Sequence, residues 1–438
     1  MFSSGCILLF TTFAFLSTAY RYDPAYEDYN LNQNKTAIDP LDYSGEWTGH
    51  DYTTSPSNWR FPFYTLFLDR FVNGDPTNDN SNGTAFEHDL NSNQMRHGGD
   101  LQGLVDTLDY IKGMGVKVCV ALQEIVRTDT DQSQGLYIAG SPFINQPWGY
   151  DSYSPLDLSI LDPHFGHIAM WRTAIDEIHS RGMYVVLDNT FATMGDLIGF
   201  EGYLNTTTPF SLKEHKVQWK SDRHYWDFDY GNTYNKACDY PAFWNETGYP
   251  VDKYVTEQMN GCYDSDFDQY GDTEAFGVFP DWRRELSKFA SVQDRLREWH
   301  PSVREKIENF YCMAIAQLDV DGFRYDKATQ STVEAMGYMN AAMRTCARRY
   351  GKENFFLPGE ITGGNDFASV FLGRGRQPDQ LPENVTQAVS LSNNSADSYF
   401  IRDLGYEGLD SGAFHYTTYR SLTRFLGMDG NLEVSSDR

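Results

Sequence analysis

Three charges fall within six residues at the start of the segment "DGFRYDKATQ" (321–330), just after a mainly apolar run at 314–318. A buried strand is predicted here, and burial disfavours charge unless the charges are paired. Arg324 lies two residues before Asp326, so both side chains share one face of a strand, and the guanidinium would hold the carboxylate ionised. The spacing predicts either a nucleophilic carboxylate or a buried ion pair without a catalytic role.

A second carboxylate, Glu360, closes the apolar segment "ENFFLPGE" (353–360). Partial desolvation behind the Pro-Gly pair would raise its pKa, as a general acid requires. Two facing carboxylates suit cleavage of a glycosidic bond, and a retaining mechanism needs them about 5 Å apart. Asp188 follows another apolar run, 183–187, where capping of the next helix or structural support fits the sequence as well as catalysis does.

Short apolar runs alternate with amphipathic helices along the chain, which is the pattern of parallel βα units. Strands are predicted at 63–68, 116–122, 183–187, 319–325 and 353–360, and helices near 100–114, 165–181, 301–317 and 330–350. Asp188, Asp326 and Glu360 then each follow a strand, and in a (β/α) barrel the chemistry lies at the carboxyl ends of the strands. The sequence therefore predicts an α/β fold, a (β/α)8 TIM barrel, with three carboxylates at its mouth.

The alternation is interrupted between the third and the fourth strand. Segment 194–280 is dominated by Gly, Asn, Asp, Tyr and Trp and is predicted to be an inserted domain. Residues 61–193 then hold barrel strands 1–3, and residues 281–438 hold strands 4–6. Residues 20–60 show no clear periodicity and are predicted to form an extended arm.

The charge of the chain is strongly negative. Its 438 residues include 61 acidic and 35 basic side chains, a formal net charge of −26. This balance, without a dense Lys/Arg patch, argues against nucleic acid as a partner. Aromatic residues make up 15% of the chain and offer flat faces for stacking on neutral sugar rings, although core filling alone could explain most of them.

Residues 1–19 have the features of a signal peptide. An apolar region at 6–16 precedes the small residues Ser17, Thr18 and Ala19, and cleavage is expected after Ala19. A membrane anchor is the alternative, but the run is shorter than the roughly 20 residues needed to span a bilayer. Six N-x-Ser/Thr sequons also favour export. They lie at Asn34, Asn82, Asn205, Asn245, Asn384 and Asn393.

Five cysteines remain after removal of this leader, an odd number for an oxidising compartment. Cys238 and Cys262 share the polar insertion and are the favoured disulfide. Cys119, within the predicted second strand, is most simply a buried thiol. None of the spacings resembles a zinc or redox motif.

Several segments resemble, in order along the chain, the motifs of the α-amylase family (glycoside hydrolase family 13). "GFRYD" resembles its nucleophile segment, "FLPGE" its acid/base segment, "RGMYVVLDN" its third strand and "VFPDWRREL" the motif that ends its long insertion. The resemblance covers nearly the whole chain after the arm and implies that Asp326 is the nucleophile and Glu360 the acid/base. It also implies that Arg324, Tyr150 and Asp188 bind substrate, with the Tyr150 ring stacked under the sugar.

Two motifs depart from the family pattern. In "DNTFAT", Ala192 stands where the family has Asn and Thr193 where it has His, and Gln330 replaces the His that closes the nucleophile segment. These substitutions imply that the family's central calcium site is absent, although Asp281 is kept. The change at Thr193 also removes a hydrogen-bond donor to the sugar.

A Ca²⁺ site other than the central one is predicted from hard oxygen ligands in "NGDPTND" (73–79) and "HGGD" (97–100). Similar clusters bind calcium in cyclodextrin glycosyltransferases, and an ordinary Asx-rich turn is the alternative. The expected ligands are the side chains of Asn73, Asp75, Asn78, Asp79 and Asp100 and the carbonyl of Gly98.

The departures themselves resemble the outer, amylase-like domain of fungal cell-wall α-1,3-glucan synthases. This implies retaining cleavage or transfer of α-glucan or malto-oligosaccharides outside the plasma membrane, in cell-wall synthesis, with membrane attachment through a portion beyond residue 438. The sixth strand and helix are expected within 407–429, so the barrel is expected to be truncated after them. A free-standing secreted α-amylase or 4-α-glucanotransferase, and a glucan-binding relic without activity, are the alternatives.

Overall fold

Short apolar runs form the strands of one parallel sheet in the computed structural model. The structure describes residues 27–31, 46–81, 96–114, 134–145, 152–195, 267–268, 293–298, 301–331, 333–361, 371–372, 409, 411–414 and 416–425. The strands within them are β1 (Phe63–Phe67), β2 (Gln134–Ala139), β3 (Phe143–Asn145), β4 (Pro155–Leu161), β5 (Met183–Asn189), β6 (Thr193–Gly195), β7 (Phe267–Asp268), β8 (Gln293–Leu296), β9 (Gly322–Tyr325), β10 (Pro358–Gly359) and β11 (Gly412–Ala413). The parallel sheet has the order β1-β2-β5-β9-β10-β11.

Two small antiparallel sheets accompany the parallel one. Strand β3 pairs with β4, and Asn30 of the arm forms an antiparallel bridge to Ile160 of β4. Strands β6, β8 and β7 form the other sheet, with β8 in the middle. Because β6 directly follows β5, the chain on the far side of the predicted insertion returns to the carboxyl end of the parallel sheet.

Helices cover one face of the parallel sheet. They are α1 (Leu101–Gly113), α2 (Ile168–Ser180), α3 (Pro301–Leu318), α4 (Val333–Arg349) and α5 (Tyr416–Phe425). Asp100 caps the start of helix α1, because its carboxylate accepts a hydrogen bond from the Gly103 N–H. The apolar face of the helix is formed by Leu104, Leu108 and Ile111, which are buried in the core. None of the helices in the described ranges has the length and apolarity to cross a membrane.

A disulfide joins α3 to α4. It links Cys312 and Cys346, whose Cα atoms are 5.8 Å apart. The pairing depends on the packing of two successive helices, so cysteine spacing did not reveal it. The favoured pair Cys238–Cys262, and Cys119, lie outside the described residues.

The predicted position of the second strand is wrong. The place between β1 and β5 is taken by β2 and not by 116–122, a segment that lies outside the described residues. Segment 116–122 contains three valines, whereas 134–139 contains Gln, Gly and one β-branched residue, Ile138, so composition favoured the wrong segment. The four predicted helices agree closely with α1 to α4, and the sixth strand and helix expected within 407–429 are β11 and α5.

Side chains alternate between the two faces of the parallel sheet. Val185 of β5 packs in the main core with the helices, whereas Val186 packs with Tyr137 of β2 on the opposite face. Asp188 lies two residues after Val186, so its side chain is on the same face of the sheet. Arg324 lies directly opposite Asp188 in the β5–β9 register. The strand period therefore places these two charged residues together on the face away from the helices.

A buried network of charges lies at the amino-terminal end of β9. The Nζ atom of fully buried Lys352 lies 2.6 Å from a carboxylate oxygen of Asp319 and 2.6 Å from one of Asp321. Burial opposes protonation of His179, but Asp321 and Asp319 outweigh it and raise the pKa of His179 to about 9. Burial likewise opposes ionisation of Asp319, yet His179 and Lys352 lower its pKa below the usual value. Two basic groups, His179 and Lys352, thus face two carboxyl groups in this network.

The arm before β1 is attached to the same end of the sheet. His50 Nε2 lies 2.9 Å from Asp319 Oδ2. The Trp59 ring stacks on Phe356 with centroids 4.7 Å apart, and its indole N–H donates to the Asn354 carbonyl at 2.7 Å. Residues 46–60 of the predicted arm are thus held by specific contacts at the end of the sheet opposite to the predicted chemistry.

Replacing Lys352 by Met should leave Asp319 and Asp321 with too little positive charge in a buried site. We expect the free energy of unfolding, measured by urea titration of the 438-residue chain, to fall by about 3–5 kcal/mol. The control is Arg348→Met, because the Arg348 side chain is 56% exposed and lies 3.7 Å from Glu353. It should cost less than about 1 kcal/mol. Equal, small losses for the two variants would show that the buried network contributes little.

Candidate active site

One guanidinium connects the ends of three neighbouring strands. Arg324 of β9 donates through Nη1 to Asp188 Oδ1 at 3.0 Å and to Asp326 Oδ1 at 2.7 Å. Its Nη2 donates to Glu360 Oε2 at 2.6 Å. Burial opposes the charge of Arg324, but Asp188 and Asp326 hold its pKa well above the usual value. The three predicted strand-end carboxylates are therefore brought together around a single cation.

Asp188 is fully buried, and protein donors surround both of its oxygens. Its Oδ2 accepts from the Tyr137 hydroxyl at 2.7 Å and from the Gly140 N–H at 3.1 Å, and its Oδ1 accepts from the Asn189 N–H at 3.1 Å. Arg324 Nη1 reaches both oxygens. In this geometry Asp188 orients Arg324 and Tyr137, and its contact with substrate stays a prediction.

Asp326 and Glu360 differ in their preferred protonation states. Burial opposes ionisation of Asp326, but the charges of Lys327 and Arg324 and a hydrogen bond from Glu360 outweigh it and lower the pKa of Asp326. Burial raises the pKa of Glu360, the Arg324 charge lowers it, and the Asp326 charge raises it again, so the net shift is upward. A carboxyl group with a lowered pKa beside one with a raised pKa is the division that a nucleophile and a general acid need.

Three further residues complete the site and were not predicted. The Tyr416 hydroxyl donates to Glu360 Oε1. Lys327 Nζ lies 3.2 Å from Asp326 Oδ2 and donates to Gln293 Oε1 of β8. Tyr416 follows β11, so the strand-end rule that identified Glu360 could have identified it, and Lys327 directly follows Asp326. Gln293 had no such signal, because β8 belongs to a small antiparallel sheet.

An aromatic ring under the sugar was predicted at Tyr150, which lies outside the described residues. The structure places the rings of Phe414, Tyr137 and Tyr153 with centroids 5.3, 6.0 and 6.0 Å from the guanidinium carbon of Arg324. Phe414 is 38% exposed. Its ring is therefore accessible to a ligand that enters at the carboxyl ends of the strands.

The residues that depart from the family motifs are buried. Ala192 lies in the main core, and its carbonyl accepts from the Leu296 N–H at 2.9 Å. Thr193 Oγ1 and both amide atoms of Gln330 have no hydrogen-bond partner in the described part of the chain. That part also contains no group of three or more His, Cys, Asp or Glu that could hold a metal. Asp281 lies outside it, so the loss of the central calcium site stays a prediction.

The residues predicted to bind the other calcium gather where the loop at 73–79 meets the start of α1. Asp100 accepts from three backbone N–H groups and from Asn78 Nδ2, at 2.8–3.3 Å. Four donors use the acceptor capacity of this carboxylate, which therefore attaches the loop to the helix. Asn73 Nδ2 donates to Asp79 Oδ1 at 2.8 Å. Asn78 Oδ1 is buried without a partner among the described residues, so it is an oxygen that a cation could use.

A carboxylate pair at the carboxyl ends of parallel βα strands is the arrangement by which a (β/α) barrel can cleave a glycosidic bond. The model of the family "Alpha amylase, catalytic domain" matches residues 65–344, which is more than half of the chain. The chain belongs to this family. The predicted α/β barrel of the α-amylase type is thereby confirmed.

Curated relatives extend the match over nearly the whole chain. The cell wall alpha-1,3-glucan synthase mok13 of Schizosaccharomyces pombe is 53% identical over 95% of this chain and 17% of its own length. The cell wall alpha-1,3-glucan synthase ags1 of the same organism is 50% identical over 95% of this chain and 16% of its own length. A crystal structure of the Gamma-CGTASE of alkalophilic Bacillus clarkii matches with a TM-score of 0.46 and 17% identity, over 72% of this chain and 37% of that one. The chain thus spans about a sixth of the length of its curated relatives.

Replacing Arg324 by Met should leave Asp188, Asp326 and Glu360 without the cation that they share. We expect the free energy of unfolding at neutral pH to fall by about 3–5 kcal/mol, because the carboxylates stay buried. In the variant, burial would raise the pKa values of Asp326 and Glu360, so the ionisation of these two carboxyl groups would cost stability as the pH rises. The loss relative to wild type should therefore shrink as the pH is lowered from about 7 to about 4.

Urea unfolding across that pH range measures this difference. The matched control is Arg181→Met, which removes an arginine that is ion-paired with Glu177 and Asp109 at the surface. It should cost less than about 1 kcal/mol. The assignment of Arg324 as the common partner of the three carboxylates would be contradicted by either of two results. One is a loss of unfolding free energy in Arg324→Met as small as that in the control, and the other is a loss that does not change with pH.

Proposed function

We propose that this chain is an α-glucan-active domain that cleaves α-linked glucan and transfers the cleaved chain by a retaining mechanism, in the service of cell-wall α-glucan synthesis. One observation carries the proposal. Asp326 Oδ1 and Glu360 Oε2 bind the two terminal nitrogens of one guanidinium, that of Arg324, at 2.7 and 2.6 Å. Two carboxylates held on one guanidinium lie close together, which supports the roughly 5 Å separation of retaining enzymes over the 6.5–9.5 Å separation of inverting ones.

The first half of the reaction would use the two carboxylates in their preferred protonation states. Protonated Glu360 gives its proton to the glycosidic oxygen as the bond from that oxygen to the anomeric carbon breaks. An oxygen of ionised Asp326 forms a new bond to the same carbon, which gives a glycosyl–enzyme ester. Arg324 keeps Asp326 ionised before the attack.

The second half reverses the roles. Glu360, now a carboxylate, removes a proton from a hydroxyl group, and that oxygen attacks the anomeric carbon. The ester bond to Asp326 breaks, and both residues return to their starting states. Water as the acceptor gives hydrolysis, and a sugar hydroxyl gives transfer. The exposed Phe414 ring beside Arg324 offers a face on which an acceptor or donor sugar can stack.

The cellular part of the proposal draws on the relatives and on the sequence. The relatives are named as cell wall alpha-1,3-glucan synthases, and α-glucan is the substrate class that the family suggests for this chain. We propose a signal peptide at 1–19, glycosylation at the six sequons and placement on the outer side of the plasma membrane. These segments lie outside the described residues, so the proposal for them is supported by sequence alone.

The catalytic proposal is tested by incubating the 438-residue chain with α-1,4- and α-1,3-linked gluco-oligosaccharides. We expect shorter and longer products, with the α configuration of the newly formed ends seen by proton NMR before mutarotation. Asp326→Asn should lower the rate at least about 10³-fold, because the nucleophile is lost. Asp109→Asn, a change at a 90% exposed carboxylate, should leave the rate unchanged.

Three outcomes would count against the proposal. Products with inverted configuration would contradict the retaining mechanism. Full activity in Asp326→Asn would contradict the assignment of the nucleophile. Binding of the oligosaccharides without any product, in wild type and variant alike, would show that the chain is a glucan-binding relic.

We also propose one structural Ca²⁺ site at the loop 73–79. The unpartnered, buried Asn78 Oδ1 supports it, and Asn73, Asp75, Asp79 and the carbonyl of Gly98 are the further oxygen donors. Asp100 would take part mainly by holding the loop, since its oxygens already accept four hydrogen bonds. The ion would fix the loop against the start of α1 and has no part in the reaction.

Calcium removal tests this site. Addition of EGTA should lower the melting temperature of the wild-type chain, and excess Ca²⁺ should restore it, because the ion binds the folded state only. Asp75→Asn keeps an acceptor for the Thr77 hydrogen bonds and removes one charge, so it should need about tenfold more Ca²⁺ for the same effect. A melting temperature that responds to neither EGTA nor Ca²⁺ would identify the segment as an ordinary Asx-rich turn.

A further inference from the structure

Lys327 directly follows the candidate nucleophile and has an unusual backbone conformation. Its φ and ψ are 50° and 38°, in the left-handed region, which is unfavourable for a residue other than glycine. Such a conformation persists where the surroundings enforce it, and functional sites are where it concentrates. Here it turns the chain so that the Lys327 N–H lies 3.3 Å from Glu360 Oε2.

The side chain of Lys327 is buried and held in place from two sides. Its Nζ lies 3.2 Å from Asp326 Oδ2 and donates to Gln293 Oε1. Gln293 is itself anchored, because its Nε2 donates to the Tyr153 carbonyl at 2.7 Å and to Ser154 Oγ at 3.0 Å. The ammonium is therefore fixed against the carboxylate by β8 and by the segment that leads into β4.

Each oxygen of Asp326 is thus bound by a different cation. Arg324 Nη1 lies 2.7 Å from Oδ1, and Lys327 Nζ lies 3.2 Å from Oδ2. The charged groups that face this site from the neighbouring elements are Asp188 of β5 and Glu360 after β10. The ionisable but neutral groups are Tyr137 of β2, Tyr153 before β4 and Tyr416 of α5. Two cations face three carboxylates, so one proton, on Glu360, makes the site neutral.

We propose that Lys327 is a positioning residue that holds Asp326 ionised and stabilises it as the departing carboxylate when the glycosyl–enzyme ester breaks down. The inference rests on the proposed retaining function. In the second half of the reaction, the bond between the anomeric carbon and the Asp326 oxygen breaks, and its electron pair returns to Asp326. A cation at Asp326 lowers the energy of that charge as it develops. The same cation makes Asp326 a weaker nucleophile in the first half.

The consequence is a shift in which half of the reaction limits the rate. With Lys327 present, formation of the ester is slowed and its breakdown is accelerated, so little ester accumulates. A lysine that only supported the turn after β9 would have no such effect on the ester.

A set of three variants separates charge from packing. Lys327→Met removes both the charge and the donor, Lys327→Gln keeps a donor without charge, and Lys327→Arg keeps both. Circular dichroism and the urea midpoint show whether each variant is folded. In chains labelled with ¹³C at the aspartate carboxyl carbon, the Asp326 signal is assigned by its absence in Asp326→Asn.

We expect the Asp326 signal to titrate at a higher pH in Lys327→Met and Lys327→Gln than in wild type, and near the wild-type pH in Lys327→Arg. With an α-linked gluco-oligosaccharide, acid quenching and intact-protein mass spectrometry should show ester breakdown slowed about tenfold or more in the two uncharged variants. The fraction of protein present as the ester should rise accordingly. Lys112→Met, at the end of α1 away from the site, should behave as wild type in both measurements.

The carboxyl titration decides the inference even without turnover. If Asp326 titrates at the same pH in wild type and in the uncharged variants that fold, the inference is wrong. It is also wrong if Lys327→Gln matches wild type, since the effect would then come from hydrogen bonding and not from charge. Absence of product from the wild-type chain would instead overturn the proposed function, and the titration would still report on the pairing of Lys327 with Asp326.

Discussion

The structure around the candidate site depends on the contact of one guanidinium with three carboxylates. Arg324 reaches Asp188, Asp326 and Glu360 because β5, β9 and the end of β10 are neighbours in a parallel sheet. A parallel register brings the carboxyl ends of all three strands to one edge, and the alternation of side chains decides which residues face inward. A slip of one residue in β9 would turn Arg324 into the helix-facing core. The register of this strand is therefore fixed by electrostatics as well as by apolar packing.

The two ends of the sheet carry separate charge networks with different consequences. At the amino-terminal end, Lys352 and His179 lie among Asp319 and Asp321. The side chains of Lys352, Asp319 and Asp321 are fully buried, and that of His179 is 8% exposed. The charges there balance without a shared proton, and the contacts attach the arm through His50. At the carboxyl end the carboxylates exceed the cations, so a titratable proton remains. A titratable carboxyl group at the carboxyl ends of barrel strands lies where the chemistry of such folds takes place.

Much of this arrangement could be predicted from the sequence, because strand ends and helix periods are local properties. Asp188, Asp326 and Glu360 each follow an apolar run, and that rule was sufficient to bring them together. The second strand was misplaced since two apolar runs compete for one position, and only pairing with β1 and β5 selects 134–139. The Cys312–Cys346 bridge depends on the packing of α3 on α4. Interactions between distant segments are not visible in local patterns.

Lys327 shows the same limit at the level of charge. A lysine beside an aspartate usually indicates a solvated surface pair, and only the left-handed turn and the contact with Gln293 reveal that it faces the nucleophile. Once Lys327 is included, the site is neutral when one of its three carboxylates carries a proton. The lowered pKa of Asp326 and the raised pKa of Glu360 favour Glu360 as the group that carries it. A retaining mechanism begins from that protonation state. Electrostatic stability of the buried site and readiness for the first chemical step therefore require the same arrangement of charge.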